Sequence, residues 1–98
     1  MSGADSFPQS IEFTMTGVLE TDQSIGGWTI LPLPGVVDVL GTRKAVRVGG
    51  TIDGEPFAAT IMPWGDGVQM VPVKAPLRKK IGKQAGDGVT VHLTERFS

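Results

Sequence analysis

The sequence predicts a mainly β protein, a small pseudo-twofold β-barrel of six or seven strands with two short capping helices. Three observations carry this reading. One unit is written twice along the chain. The 98 residues include 14 glycines and 7 prolines, which demands many turns and leaves little room for long helices. Between those turns, apolar and polar residues alternate with the period of two expected of half-buried strands.

The first copy of the unit runs from Leu31 to Gly41 and then Lys44 to Thr51; the second runs from Val71 to Gly82 and then Gly88 to Thr94. Each is an apolar run broken by prolines, a short helix with an apolar i, i+4 pair, a glycine stop and a valine-rich strand. Val36 aligns with Leu77, Leu40 with Ile81 and Gly41 with Gly82. After a loop two residues longer in the second copy, Val46 and Val48 align with Val89 and Val91. One such unit cannot bury its apolar face alone, whereas two closing on each other can.

In chain order, residues 1–9 are small and polar and predict a disordered tail, and 10–98 predict one domain. Ile11, Phe13 and Met15 alternate with Glu12, Thr14 and Thr16 as a strand that continues towards Val18 and Leu19. Thr21 to Gly26 reads as a polar loop, and Gly27 to Leu31 as a second strand. Pro32 and Pro34 end its ladder because proline has no N–H to donate. A helix of one or two turns follows, with Val36, Val37 and Leu40 inward and Gly41 beyond its C-terminus. Lys44 to Ile52 alternates again. Asp53-Gly54 then suits the positive φ angles of a type I′ hairpin, with a returning strand from Glu55 to Met62 or Trp64. Gly65-Asp66-Gly67 is a further turn before Val68 to Val73. The second helix spans Ala75 to Ile81, with Leu77 and Ile81 buried and its basic side chains outward. Gly86-Asp87-Gly88 leads into a last strand through Val89, Val91 and Leu93.

Composition excludes several function classes. There is no cysteine and a single histidine, His92, so disulfides, thiolate metal sites and a structural zinc are not expected. Met1 to Ser10 lacks the basic and apolar regions of a secretory signal. No apolar run approaches the roughly 20 residues needed to cross a bilayer. The chain therefore reads as soluble and cytoplasmic, with no membrane partner. Its net charge is −1, but residues 1–42 hold five acids and no Lys or Arg, whereas all nine basic residues follow. A local basic surface on a nearly neutral molecule is the consequence.

Val71-Pro72-Val73-Lys74, Arg78-Lys79 and Gly86 to Leu93, together with Gly27-Trp28, Leu31-Pro32 and the strand after Phe57, resemble the bacterial family catalogued as domain of unknown function 1905. The most specific piece is Pro-Val-Lys-x-x-x-Arg followed by Gly-Asp-x-Val, and the resemblance spans roughly Phe13 to Leu93. It implies a double-split β-barrel, the architecture also used by AbrB-type transition-state regulators and antitoxin DNA-binding domains. Those proteins dimerise to complete a barrel, whereas this chain carries both halves itself. The resemblance implies a fold and no assigned activity.

Candidate sites follow from the charge pattern. Lys74 and Arg78 are four apart and share a helix face. With the helix N-terminus they could hold a small anion, or they could be solvated or paired with a neighbouring carboxylate. Trp28 and Trp64 suit a pocket mouth, where an indole N–H is useful, although core positions at the barrel ends are the plainer expectation. Lys79, Lys80 and Lys83 with Arg43, Lys44 and Arg47 form the alternative, a nucleic-acid patch, which the near-neutral charge and the scarcity of aromatics disfavour. His92 alternates outward with no partner evident in the sequence. The three Asp-Gly pairs lack the spacing of a calcium loop, and no motif amounts to an enzyme signature. The sequence thus predicts a noncatalytic binding module for a small anionic ligand or a partner, without cofactor or metal, as a monomer or weak homodimer. The runner-up is a nucleic-acid-binding regulatory domain; an uncharacterised enzyme comes third.

Overall fold

The computed structural model describes residues 7–98. Seven strands make up the sheet: β1 (Gln9–Val18), β2 (Glu20–Asp22), β3 (Trp28–Pro32), β4 (Val46–Ile52), β5 (Glu55–Gly65), β6 (Val68–Pro72) and β7 (Gly88–Arg96), with α1 (Val36–Leu40) and α2 (Ala75–Ile81) between them. All pairings are antiparallel, in the order β1-β7-β4-β5-β6-β3-β2. The ends of this order, β1 and β2, are separated in the chain only by Leu19. The curled sheet therefore returns to where it began, the mainly β barrel expected from the repeat.

The pseudo-twofold relation is visible in individual hydrogen bonds. Leu31 lies opposite Val71 in the β3–β6 ladder, and Gly50 lies opposite Leu93 in the β4–β7 ladder. Each of these residues faces its own counterpart in the other repeat, which places the axis through both ladders. Leu33 N–H donates to the Gln69 carbonyl (2.8 Å) while its counterpart Val73 N–H donates to the Thr29 carbonyl (2.9 Å). The core is correspondingly matched: Leu31 and Val71, Leu33 and Val73, Val46 and Val89, and Val48 and Val91 are all buried. Each such aliphatic side chain contributes about 1.5–3 kcal/mol when fully removed from water.

Each repeat has one long strand that serves two ladders. The first part of β5 pairs with β4, from Glu55 to Ile61, and its last part pairs with β6 from Met62. The β1–β2 run does the same, with β1 on β7 and β2 on β3. Proline explains the change of partner. The β5–β6 register would next set Thr60 against Pro72, and the β2–β3 register would next set Val18 against Pro32. Neither proline has an N–H to continue the ladder. At the break, Leu19 N–H donates to the Asp87 carbonyl (3.0 Å) and the Leu19 carbonyl accepts from Gly86 N–H (2.8 Å).

Most elements lie where the sequence places them; the Asp53-Gly54 tip has the positive φ angles expected of a type I′ turn, and Asp66-Gly67, read only as a turn, has them too. Three details differ. Residues 20–25 form the short strand β2 and a 3-10 turn (Gln23–Ile25) capped by Asp22, not an open loop. The predicted tail falls mostly on residues 1–6, outside the described residues, and β1 already begins at Gln9. Leu77 and Ile81 are only partly buried, and α2 has no fully buried residue.

That last difference breaks the symmetry. α1 is almost wholly apolar, buries Val36 and Leu40 and packs against β1. Its last carbonyl, that of Leu40, accepts from the Arg96 guanidinium (2.6 Å). α2 packs against β5, but Arg78, Lys79 and Lys80 occupy its last turn and keep the helix from sinking into the sheet.

The ladder on the axis leaves no space for a side chain. A Cβ at Gly50 would lie 2.0 Å from the His92 carbonyl oxygen, whereas one at Gly49 would meet the rim of the Phe97 ring at 3.0 Å. Gly50→Ala is expected to destabilise the domain by about 3 kcal/mol or more, by forcing β4 away from β7; Gly49→Ala should cost less because a ring can shift. Urea unfolding of the two variants measures the difference.

Candidate functional site

Where β5 leaves β6, the sheet opens into a groove of about 940 Å³ between the first part of β5, the ends of β3 and β6, and α2. Its apolar surface comes from Phe57, Ala59 and Met62 of β5 with Pro76 and Leu77 of α2. Trp28 stands at one side, 48% exposed. Among the described residues, the cationic side chains on its lining are Arg47, Lys74 and Lys80, and no Asp or Glu lines it. Among the described residues none of these three cations forms an ion pair. Arg47 arrives here because the Asp53-Gly54 hairpin sets the β4–β5 register, in which Arg47 lies opposite Thr60.

The structure brings together Trp28 and Lys74 of the predicted anion site and separates the other two members. The Arg78 side chain turns back on its own helix, donating to the Val73 carbonyl (2.6 Å). It lines a second, shallower recess of about 600 Å³ with Lys79 and Lys83. Trp64 is outside both cavities. Its indole N–H donates to the Asp22 carboxylate, which also accepts from the Ser24 hydroxyl (2.6 Å) and the Ser24 N–H (2.8 Å). The Ser24 hydroxyl first, then the Trp64 indole and the Ser24 N–H, hold the Asp22 carboxyl below the usual carboxylate range. The expectation that the two tryptophans are core residues is thus overturned: Trp28 is 48% and Trp64 37% exposed. Both sit at strand ends, where the ring can lie over the barrel rim and keep its N–H in water or on a surface acceptor.

The alternative basic set does not gather in one place. Arg47 and Lys80 line the groove, and Lys79 and Lys83 line the recess. The Arg43 guanidinium lies against the Gly67 turn, and Lys44 follows it in a loop where Thr42 Oγ1 accepts the Lys44 N–H (3.1 Å). Lys83 is already engaged, paired with Asp53 (3.0 Å) and donating to the Gly88 carbonyl (2.9 Å). His92 does have a partner, Glu12 Oε2 at 2.6 Å. That pair bridges β7 and β1 on the exposed face of the sheet, away from the groove lining.

A family model described as Domain of unknown function (DUF1905) matches residues 16–93. The chain belongs to this family. No curated protein matches it. The span shared with DUF1905 takes in β2 to α2, so Trp28, Arg47, Lys74 and Lys80 all fall within the family domain. Among the described residues, no helix is long and apolar enough to cross a membrane.

The ion pair beside the recess has a pH signature. Asp53 Oδ1 accepts from Thr90 N–H (2.8 Å) and Oδ2 faces Lys83. The Thr90 N–H is the main cause that holds the Asp53 carboxyl low, with Lys83 adding to it against a partial desolvation penalty. A carboxyl lowered by folding contributes stability that is fully present above its unfolded pKa and is lost as the pH falls through the folded one, below about pH 4. Asp53→Asn, which still tolerates the positive φ of the turn, should therefore shrink the loss of stability between pH 5 and pH 3. Urea midpoints at the two pH values test it; an unchanged difference would assign the acid sensitivity elsewhere.

Proposed function

We propose that this domain is a noncatalytic binding module whose site is the groove between β5 and α2, and that the ligand is anionic and partly apolar. One observation carries the reading: among the described residues, three cations without carboxylate partners stand around an apolar floor with no acid on the lining. A lone exposed cation contributes little to affinity. Beside an apolar surface that also excludes water from the ligand, the same charge acts in a lower effective dielectric and contributes more. A concave, mostly apolar site with a few convergent polar groups is the usual form of a ligand site.

Nucleic acid is the second reading, favoured by the gathering of Arg78, Lys79 and Lys83 around the recess. The engagement of Lys83 with Asp53 weakens it, since a phosphate would have to displace an existing partner.

Trp28 is a built-in reporter. In a Trp64→Phe background it is the single tryptophan, so a titration with aliphatic and aromatic carboxylates and with phenyl phosphate reads the groove directly. A saturable fluorescence change is expected, weakening as salt is raised and at least tenfold weaker in the Lys74→Ala/Lys80→Ala variant. No saturable change with any of these anions up to millimolar concentration would sink the reading. A response only to a short DNA duplex would favour the second.

A further inference from the structure

We propose that the groove takes up an extended peptide with acidic side chains, which adds as a strand to the free edge of β5. The inference rests on the groove being an anion-binding site and names the class of occupant.

The hairpin at Asp53-Gly54 decides which way each residue of β5 turns its main chain. Ile52 and Glu55 flank the two-residue turn, so they form the hydrogen-bonded pair that closes it. By alternation, Phe57, Ala59 and Ile61 also bond to β4. Pro56, Ala58 and Thr60 then turn their main-chain groups the other way, towards the groove that they line. On that side β6 joins only at Met62, so among the described residues no strand lies beside β5 over residues 56–60. The position of Pro56 fits this geometry, because a proline inside a sheet is tolerated where its missing N–H faces an open edge.

The groups on offer are the carbonyls of Pro56, Ala58 and Thr60 and the N–H groups of Ala58 and Thr60. An antiparallel segment would exchange both of its bonds with Ala58 and donate to the flanking carbonyls. Pro72 has no N–H to compete for the Thr60 carbonyl. The alanines at 58 and 59 add little bulk on either face of the edge. Natural sheets cover or blunt such edges to prevent pairing with other chains; here α2 touches β5 but leaves a groove of about 940 Å³ along residues 56–60.

Charge selects the partner. Arg47, Lys74 and Lys80 line the same groove, unpaired and with no acid among them in the described residues. Acidic side chains on a docked strand would meet these cations. A second copy of this chain is disfavoured as the occupant: two β5 edges brought together about a twofold axis would set one group of three cations against another. The edge of five residues spans about 17 Å, at roughly 3.3–3.4 Å per residue, so a short segment suffices.

The test uses the whole chain with Trp64→Phe and the probe acetyl-Glu-Val-Glu-Val-Glu-Val-amide. Binding is read by Trp28 fluorescence and by hydrogen exchange of the Ala58 amide. The expected result is saturable binding at low salt with at least tenfold slower exchange at Ala58. At least tenfold weaker binding is expected for the Gln-for-Glu peptide, and for one of the two peptides N-methylated at alternate residues, the one whose bonding edge is blocked. Ala58→Pro removes the central one of the two outward donors, Ala58 and Thr60, and should weaken probe binding; if that variant melts early, the N-methylated pair still decides. Probe binding indifferent to N-methylation in both registers, or no probe binding while small carboxylates still bind, overturns strand addition and leaves the anion groove standing. Failure of both probe and carboxylates removes the groove reading as well. Concentration-dependent dimerisation with protection of Ala58 in the absence of peptide would replace the peptide by a second copy.

Discussion

The architecture depends on hydrogen bonds that two prolines cannot make. Pro32 and Pro72 sit at matched places in the two repeats, each on a strand flanked on both sides. Their odd-numbered neighbours bond across the twofold axis, as the Leu33 and Val73 donors show, so each proline nitrogen faces the long strand of a repeat. With no N–H there, the long strand is released from that neighbour and must find another. One continuous ladder becomes two that share long strands, and the sheet curls instead of extending.

The splits that result are alike in backbone and unlike in side chains. In the first repeat an apolar five-residue helix, Val36 to Leu40, packs into the core and is tied at its end by Arg96. In the second, a seven-residue helix with three basic residues in its last turn rests against β5 through partly buried Leu77 and Ile81. The second position thus gives up part of the burial that the first enjoys, and gains a cavity with unpaired cations. The two helices mark where the side chains depart most from an otherwise well-kept symmetry.

Much of this was legible in the chain. The repeat, the Asp-Gly hairpins and the bounds of the second helix follow from local chemistry: positive-φ turns, glycine stops and alternation with period two. The membership in a family of unknown function was legible from the Pro-Val-Lys-x-x-x-Arg run. What was hidden depends on contacts between distant segments. At the break between β1 and β2, Leu19 exchanges bonds with Gly86 and Asp87, which no local pattern records. Arg78 shares a face with Lys74 by spacing, yet a nearby carbonyl, that of Val73, holds its guanidinium away. Arg47 was grouped with the basic patch, and only the hairpin register brings it to the groove opposite Thr60. The tryptophans were ambiguous because a strand end offers an aromatic ring both the core and the rim.

The pairing of Gln9 with Arg96 and Ser10 with Glu95 has a topological consequence. Under the twofold axis, the junction of β7 with β1 occupies the place that the Asp53-Gly54 hairpin occupies between β4 and β5. The fold is in effect a ring, opened at one of two equivalent turns. A chain cut between Asp53 and Gly54, and joined from β7 back to β1, would thread the same ladders in the same neighbourhood. The two halves are thus interchangeable in connectivity, and they differ in side chains, helix length and loop length, not in the order of their ladders.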